Sequence, residues 1–311
     1  MPALFQEVRV ARLAMATRFE FVLHGGNPAT LRAAGEEALD EVDRLEDLLS
    51  LYRPHSDIAR INASSPGRPV RVAPETFRLL ERARELCART DGAFDVTAGP
   101  LVRAWGFHGE PGASPDPDVL GAARRRCGWE RVVMDASTGC VGFDGEAGLL
   151  DLGGIGKGYA LDRAVGILRE AGVTTALLHG GTSTVVGIGT RSEATGWRVA
   201  LARWPGDAGG GVVTLHDESL SVSAVWGRSF AGNSGSPAGH VMDPRSGVPL
   251  PGTGTGTQMA AVALRSAADA DAVSTALLVL GEAGVALLSS RFPGLRTWLD
   301  AGADPSGARG G

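Results

Sequence analysis

The chain has 311 residues, of which 43% are hydrophobic and 21% charged, with a formal net charge of −5 and three cysteines. This balance is typical of a soluble globular enzyme; it lacks the basic surface that nucleic-acid-binding proteins need, and three scattered cysteines form no disulfide framework. We therefore expect no nucleic-acid partner and reduced thiols.

The N-terminal segment predicts an antiparallel strand pair. Apolar and polar residues alternate over residues 7–24 on both sides of Met15-Ala16-Thr17, as in two half-buried strands. Glu7 and Arg9 stand where the apolar core of a secretory signal would lie, and no apolar run reaches the ~18 residues of a membrane-spanning helix. We therefore predict a cytoplasmic chain without a membrane span.

Three helices are predicted next. Asn27-Pro28 has the residues of an N-cap and first turn, and the helix that follows has a stripe made of Leu31, Ala38, Val42, Leu45 and Leu49. A second helix is predicted from Pro74 and a third over residues 118–127. We expect the first helix to lie half buried on a sheet and residues 124–126, all arginine, to form a solvated helix face.

The most informative segment is DLGGIGKGYALD at residues 151–162. A glycine-rich turn with Lys157 leads directly into a helix with apolar residues at helical spacing. Glycines let backbone N–H groups approach an anion, the helix N-terminus favours it, and Lys157 adds a positive charge. The spacing fits neither a Walker loop nor the G-x-G-x-x-G motif. It predicts phosphate binding in another fold, with a purely structural turn as the alternative.

The second half of the chain predicts mainly strands. They are predicted at residues 176–178, 197–203, 212–215 and 259–264, with a glycine loop at 209–211 and a final helix at 268–280. Residues 302–311 have the composition of a disordered tail. The pattern predicts an α+β fold, with helices packed around a mixed or antiparallel sheet in one domain of residues 1–301.

Two short segments contribute candidate ligands. Asp271 and Thr275 stand four apart on the predicted final helix, so a carboxylate and a hydroxyl share one face. Such a sparse oxygen set suits Mg²⁺ when phosphates are nearby; a surface or capping role is the alternative. Asp95 and Thr97 share one face if their segment is extended, and otherwise form the polar edge of a turn.

Candidate bases and nucleophiles are few. His240 begins the turn segment HVMDPRSG, where it could act as a base or as a structural hydrogen-bonding residue. Ser221 and Ser223 lie outside any G-x-S-x-G elbow, so nothing supports a serine hydrolase.

Taken in order, six segments resemble the FAD:protein FMN transferase (ApbE) family. They are MAT at 15–17, SLYRPHSDIARIN at 50–62, GAFDVTAGPLVRAWGF at 92–107, DLGGIGKGYALD at 151–162, HVMDPRSG at 240–247 and ADAVST at 270–275. The resemblance implies a single T-fold-like α+β domain. It also implies Mg²⁺-dependent transfer of FMN from FAD to a Ser or Thr hydroxyl of an acceptor flavoprotein, with release of AMP.

The resemblance further implies a role for each candidate residue. Asp271 and Thr275 become Mg²⁺ ligands with the backbone carbonyl of Gly154, and catalysis is assigned to Asp271, Lys157 and His240, the last as base. The positions that would contact FAD are Met15, Tyr52, Ala93, Phe94, Asp95, Asp151, Lys157 and Met242.

The chain departs from the family pattern at His179, Thr182 and Trp226, which puts its acceptor or flavin contacts in question. Two alternatives remain open: a Mg²⁺-dependent FAD pyrophosphatase that gives FMN and AMP with water as nucleophile, and a non-catalytic FAD-binding protein. Because many family members are exported lipoproteins and this sequence shows no such signal, we expect an acceptor that is cytosolic or has a cytosolic face.

Overall fold

The computed structural model describes residues 7–108, 114–190, 196–201, 211–226, 229–231, 237–252 and 256–300. The strands are β1 Glu7–Ala14, β2 Thr17–His24, β3 Val70–Arg71, β4 Val132–Asp135, β5 Cys140–Phe143, β6 Thr175–Gly180, β7 Thr184–Ile188, β8 Trp197–Ala200, β9 Val212–Leu215, β10 Glu218–Ala224, β11 Ser229–Ala231, β12 Pro237–Asp243, β13 Val248–Pro251, β14 Met259–Leu264 and β15 Arg296–Asp300. The helices are α1 Pro28–Leu49, α2 Asp57–Ala63, α3 Pro74–Arg89, α4 Gly99–Ala104, α5 Pro117–Arg125, α6 Gly156–Glu170, α7 Ala267–Leu280 and α8 Ala283–Arg291.

A seven-stranded antiparallel sheet organises the fold, in the order β1-β2-β6-β7-β10-β14-β15. Helices α1, α6 and α7 pack together, and the core that they share with the sheet contains most of the buried apolar side chains. A smaller apolar cluster joins the sheet to the β8–β9 hairpin through Trp197, Leu215 and Leu220. The predicted α+β class is therefore confirmed, and the main sheet is antiparallel.

Local sequence signals placed the first elements correctly. The β1–β2 hairpin turns at Met15 and Ala16. The Asn27 side chain accepts hydrogen bonds from the backbone N–H groups of Ala29 and Thr30, which caps α1 as predicted. The predicted α1 stripe is buried, and α3 begins at Pro74.

Three predictions need correction. The third helix is shorter than predicted and ends at Arg125. Arg126 is half-buried and not part of a solvated helix face, because its Nε donates to the carbonyl of Ala147 at 2.6 Å. Helix α7 is not the last element, because Gly281, at φ +64°, ends it and is followed by α8 and β15. The strand predicted at residues 197–203 ends at Ala200, and Leu201 lies outside it. Residues 202–210, with part of the predicted glycine loop, lie outside the described residues, as does the predicted tail.

In the part of the chain that the structure describes, no helix combines the length and the apolar character needed to cross a membrane.

Candidate functional site

The twelve residues to which the family resemblance assigns a catalytic, cofactor or metal role line one cleft of about 1330 Å³. Its walls come from the β1–β2 turn, the end of α1, the segment before α4, the glycine turn, β12 and α7. The cleft includes Met15, Tyr52, Ala93, Phe94, Asp95, Asp151, Gly154, Lys157, His240, Met242, Asp271 and Thr275. The structure therefore brings all of them together; the role of each stays a prediction.

Helices α6 and α7 meet closely behind the glycine turn. A Cβ atom at Gly158 would lie 2.1 Å from the carbonyl oxygen of Ala267, so only glycine permits this approach. The Asp162 carboxylate accepts hydrogen bonds from the N–H groups of Ala267 and Ala268 at 2.7 and 3.0 Å. These contacts fix the start of α7 against α6, and with it the position of Asp271 one turn later.

Asp271 is 4% exposed and lies between the glycine turn and the sheet. Its Oδ2 accepts a hydrogen bond from the Gly158 N–H at 3.2 Å and lies 3.5 Å from Lys157 Nζ. Its Oδ1 accepts a hydrogen bond from Ser221 Oγ at 3.2 Å. Because the residue is buried in the helix and Ser266 caps α7, the surface or capping alternative is wrong.

Thr275 stands one helical turn after Asp271, as the spacing predicted. Its Oγ1 donates to the carbonyl of Asp271 at 3.1 Å and lies 3.2 Å from Ser223 Oγ. A Cβ atom at Gly154 would lie 3.4 Å from Thr275 Oγ1, so the glycine turn passes beside this hydroxyl.

This donor set fits a hard divalent cation. A buried carboxylate, a hydroxyl and an adjacent glycine backbone offer only oxygen atoms, which Mg²⁺ prefers. Among the described residues, no group of three or more His, Cys, Asp or Glu side chains could hold a metal ion. A metal here would therefore take its remaining ligands from backbone, water or a bound phosphate.

Asp151 is paired with a histidine that the sequence analysis did not single out. Its Oδ2 lies 2.9 Å from His108 Nε2, and its Oδ1 accepts from the Gly153 N–H at 2.8 Å. Burial alone would raise the pKa of Asp151, but the bonds from His108 and Gly153 outweigh it and hold the pKa below its ordinary value. His108 directly follows the quoted segment 92–107, and nothing in the local pattern marks it as a cleft residue.

Asp95 is extended but directly precedes a 3-10 helix that contains Thr97, so the extended alternative for the segment is wrong. Its side chain accepts from the Thr97 N–H at 2.8 Å and caps a 3-10 helix, Val96–Ala98. Burial raises the pKa of Asp95. Thr97 instead accepts from the Gly128 N–H at 2.8 Å and is structural.

Tyr52 and His240 are exposed, whereas Met242 is buried. Tyr52 is 69% exposed at the edge of the cleft, which excludes the alternative of a core tyrosine. Met15 has a φ of +50° in the turn of the first hairpin. The departures His179, Thr182 and Trp226 also line the cleft.

The chain is similar in sequence and fold to known flavin transferases. The ApbE family profile matches residues 15–299. A FAD:protein FMN transferase of Treponema pallidum (strain Nichols) is 32% identical over 306 residues, covering 93% of this chain and 83% of the relative. One of Klebsiella pneumoniae (strain 342) is 33% identical over 278 residues, covering 86% and 84%.

Solved structures show the same architecture. The ApbE protein of Thermotoga maritima superposes with a TM-score of 0.83 at 28% identity, covering 96% of both chains. The flavin transferase ApbE of Vibrio cholerae gives a TM-score of 0.81 at 24% identity, covering 96% of this chain and 95% of the other; at that identity the likeness supports the fold alone.

Proposed function

The chain belongs to the ApbE family, and on that premise we propose that it is a flavin transferase that moves FMN from FAD to a Ser or Thr hydroxyl of an acceptor flavoprotein. The proposed reaction depends on Mg²⁺ and releases AMP. One observation carries the proposal: the glycine turn, Lys157 and the Asp271–Thr275 pair converge at one point of a cleft large enough for a dinucleotide.

In this proposal the glycine turn and the start of α6 bind the diphosphate of FAD through backbone N–H groups. Lys157 Nζ, beside Asp271, balances the phosphate charge. Asp271 and Thr275 would hold Mg²⁺ together with the backbone of Gly154. Bound Mg²⁺ supplies neutralisation of the charge that develops on the diphosphate.

The remaining cleft residues position the flavin and the acceptor. Phe94 and Met242 provide buried apolar surface for an aromatic ring system, while Asp151, fixed by His108, offers a carboxylate to polar groups of the cofactor. His240 accepts the proton of the acceptor hydroxyl as its oxygen attacks the FMN-side phosphorus. The bond to the bridging oxygen breaks, and AMP leaves.

The test combines intact-protein mass spectrometry with an AMP assay. An acceptor flavoprotein with a Ser/Thr-Gly-Ala-Ser/Thr segment is incubated with the chain, FAD and Mg²⁺. The expected result is a Mg²⁺-dependent mass gain of one FMN per acceptor with equimolar AMP. Asp271→Asn should abolish both products, whereas Asp269→Asn, on the same helix but bonded to Arg82, should retain them.

Other outcomes identify the alternatives. FMN and AMP without acceptor labelling would favour a pyrophosphatase, and tight FAD binding without AMP would favour a binding protein. Wild-type turnover in Asp271→Asn would refute the proposed metal site. A cytoplasmic location stays a prediction from the sequence.

A further inference from the structure

Strand β10 presents three serines to the same side. Ser219, Ser221 and Ser223 are two residues apart, so their side chains share one face of the strand, the face that packs on α7. The intervening Leu220 belongs to the opposite cluster under the β8–β9 hairpin. Ser219 and Ser221 are 0% exposed, and buried hydroxyls at an apolar helix–sheet interface need hydrogen-bond partners.

Two of these serines contact the two candidate metal ligands separately. Ser221 Oγ donates to Asp271 Oδ1 at 3.2 Å, and Ser223 Oγ lies 3.2 Å from Thr275 Oγ1. Ser274 of α7 contacts both serines: its Oγ lies 2.8 Å from Ser223 Oγ and 3.4 Å from Ser221 Oγ. A continuous hydroxyl network therefore connects Asp271 with Thr275 through the strand.

The proton count within this network leaves Thr275 Oγ1 with acceptor capacity. Each hydroxyl has one proton and two lone pairs. Thr275 Oγ1 donates its proton to the carbonyl of Asp271 at 3.1 Å, and Ser274 Oγ donates to the same carbonyl at 2.9 Å. The single Ser223 proton can go either to Ser274 Oγ at 2.8 Å or to Thr275 Oγ1 at 3.2 Å. In either case Thr275 Oγ1 keeps at least one lone pair for a further partner.

The same count applies to the carboxylate. Asp271 Oδ1 accepts from Ser221 on the sheet side, and Oδ2 accepts from the Gly158 N–H on the α6 side. A carboxylate bonded from both sides cannot rotate without losing a buried hydrogen bond, which is unfavourable because it leaves a buried polar group unsatisfied.

We propose that Ser221 and Ser223 are positioning residues that hold Asp271 and Thr275 in the orientation that binds the divalent cation. This inference rests on the proposed function, since it concerns the metal site assigned there. Groups that orient ligands in this way affect metal affinity roughly 10- to 100-fold when removed. The serines act on the cation through the α7 side chains; Ser221 lies outside the lining of the cleft, whereas Ser223 forms part of it.

Ser219 provides a matched control on the same strand face. It is equally buried, but its Oγ donates at 2.7 Å to the carbonyl of Leu264 on β14, away from the candidate ligands. Ser219→Ala therefore removes a buried hydroxyl from the same interface while the hydrogen bonds to Asp271 and Thr275 remain.

The experiment measures Mn²⁺ and Mg²⁺ affinity of the purified full chain by titration calorimetry. We expect Ser221→Ala and Ser223→Ala each to weaken the affinity roughly 10- to 100-fold and Ser219→Ala to change it less than about twofold, as expected for a site without contact to the ligands. Ser223→Thr, which keeps the hydroxyl, should restore most of the affinity. FAD binding without metal, followed by flavin fluorescence, should be equal to wild type in Ser219→Ala and Ser221→Ala, whose positions lie outside the lining of the cleft.

A kinetic readout separates positioning from structural damage. The two alanine variants should need more Mg²⁺ for half-maximal transfer yet approach the wild-type rate at saturating Mg²⁺. Wild-type Mg²⁺ affinity in Ser221→Ala and Ser223→Ala, or an equal loss in Ser219→Ala, would overturn the inference while the proposed function stands. A wild-type chain that binds neither cation would overturn both. Ser221 is fully buried, and if Ser221→Ala does not fold, the Mg²⁺ affinity of the variants at the half-buried Ser223 tests the inference.

Discussion

Asp271 is nearly inaccessible, yet its carboxylate meets groups from two other elements, Lys157 and Gly158 of α6 and Ser221 of β10. Its backbone carbonyl accepts a hydrogen bond from Thr275 of its own helix. Buried carboxylates need such partners, because an uncompensated buried charge is strongly destabilising. Lys157 is only partly exposed as well, with 23% of its side chain accessible. Both charges therefore interact in a region where water screens them little.

Lys157→Met should separate catalysis from metal binding. Loss of the ammonium removes a charge stabiliser of the diphosphate, so transfer should slow by about 2.7–4 kcal/mol of barrier, by analogy with the loss of an oxyanion-hole donor. Mg²⁺ affinity should stay equal or rise, because the ammonium repels a cation at the carboxylate 3.5 Å away. Turnover at saturating Mg²⁺ and calorimetric Mg²⁺ affinity test this. A parallel fall in affinity would contradict the assigned role.

His179 should be neutral in the cleft at pH 7. Burial lowers its pKa below 6.5, and the charge of its cross-strand neighbour Glu20 offsets this only in part. Because the folded-state pKa is depressed, the unfolded chain takes up a proton first, and stability should fall as the pH drops below about 6.5. Imidazole NMR titration should give a midpoint below 6.5, and Glu20→Gln should lower it further. A midpoint above 6.5 would be inconsistent with this balance.

At the level of elements, the β1–β2 turn is strained. Met15 and Ala16 both have positive φ, at 50° and 57°, in a two-residue hairpin connection where Asn-Gly is the usual solution. Each non-glycine residue in the left-handed region costs roughly 1–2 kcal/mol. The turn forms part of the cleft wall, so its conformation fixes where the Met15 side chain lies.

Ala16→Gly should therefore stabilise the chain. Glycine removes the strain of a left-handed conformation in the folded chain, but it also adds conformational entropy to the unfolded chain. Because the first effect is larger, the free energy of unfolding should rise by about 0.5–1 kcal/mol. Urea denaturation measures the change. Ala11→Gly, at an exposed position of β1, is the control and should destabilise by roughly 0.5–1 kcal/mol. Equal destabilisation by both changes would show that the turn stores no strain.

Helices α6 and α7 pack closely against each other at Gly158. A methyl group there would clash with the carbonyl of Ala267, so Gly158→Ala should destabilise the chain by roughly 1–3 kcal/mol, the cost of overpacking, and weaken Mg²⁺ binding by moving Asp271. Gly166, in the same helix, has no atom within 4 Å of an added Cβ. Gly166→Ala should be neutral or stabilising by up to about 1 kcal/mol. The midpoint of thermal unfolding and the Mg²⁺ affinity are measured for both variants. Equal unfolding midpoints in Gly158→Ala and Gly166→Ala would be inconsistent with the clash.

The sequence predicts the elements whose signals are local, such as the capped start of α1 at Asn27 and the Pro74 start of α3. It does not predict contacts that depend on tertiary packing. The alternation of Ser219, Ser221 and Ser223 is visible in the sequence, but Ser221 meets Asp271 50 positions away only because β10 lies under α7. His108 likewise becomes a cleft residue through Asp151, 43 positions away.

At the scale of the whole molecule, the cleft is lined by residues from both the N-terminal and the C-terminal parts of the described chain. Its lining runs from Met15 in the first hairpin to Thr275 in α7, and it draws residues from the main sheet and from β8 and β12, which belong to two smaller sheets. Most buried apolar residues form a single cluster shared by α1, α6, α7 and the sheet. A ligand that contacts several walls at once therefore binds only the assembled fold.

Ligand binding should then stabilise the chain as one unit. FAD without metal, at 100 times its dissociation constant, should raise the free energy of unfolding by about 2.7 kcal/mol, in one transition seen equally by far-UV and near-UV circular dichroism. Mg²⁺ added to the apo chain should stabilise wild type but not Asp271→Asn. FAD without metal should still stabilise Asp271→Asn. Two separate transitions, with only one shifted by FAD, would show instead that the walls of the cleft belong to independently folding parts. Because the β1–β2 hairpin belongs to the main sheet and α7 packs on that sheet in the same core, we expect a single transition.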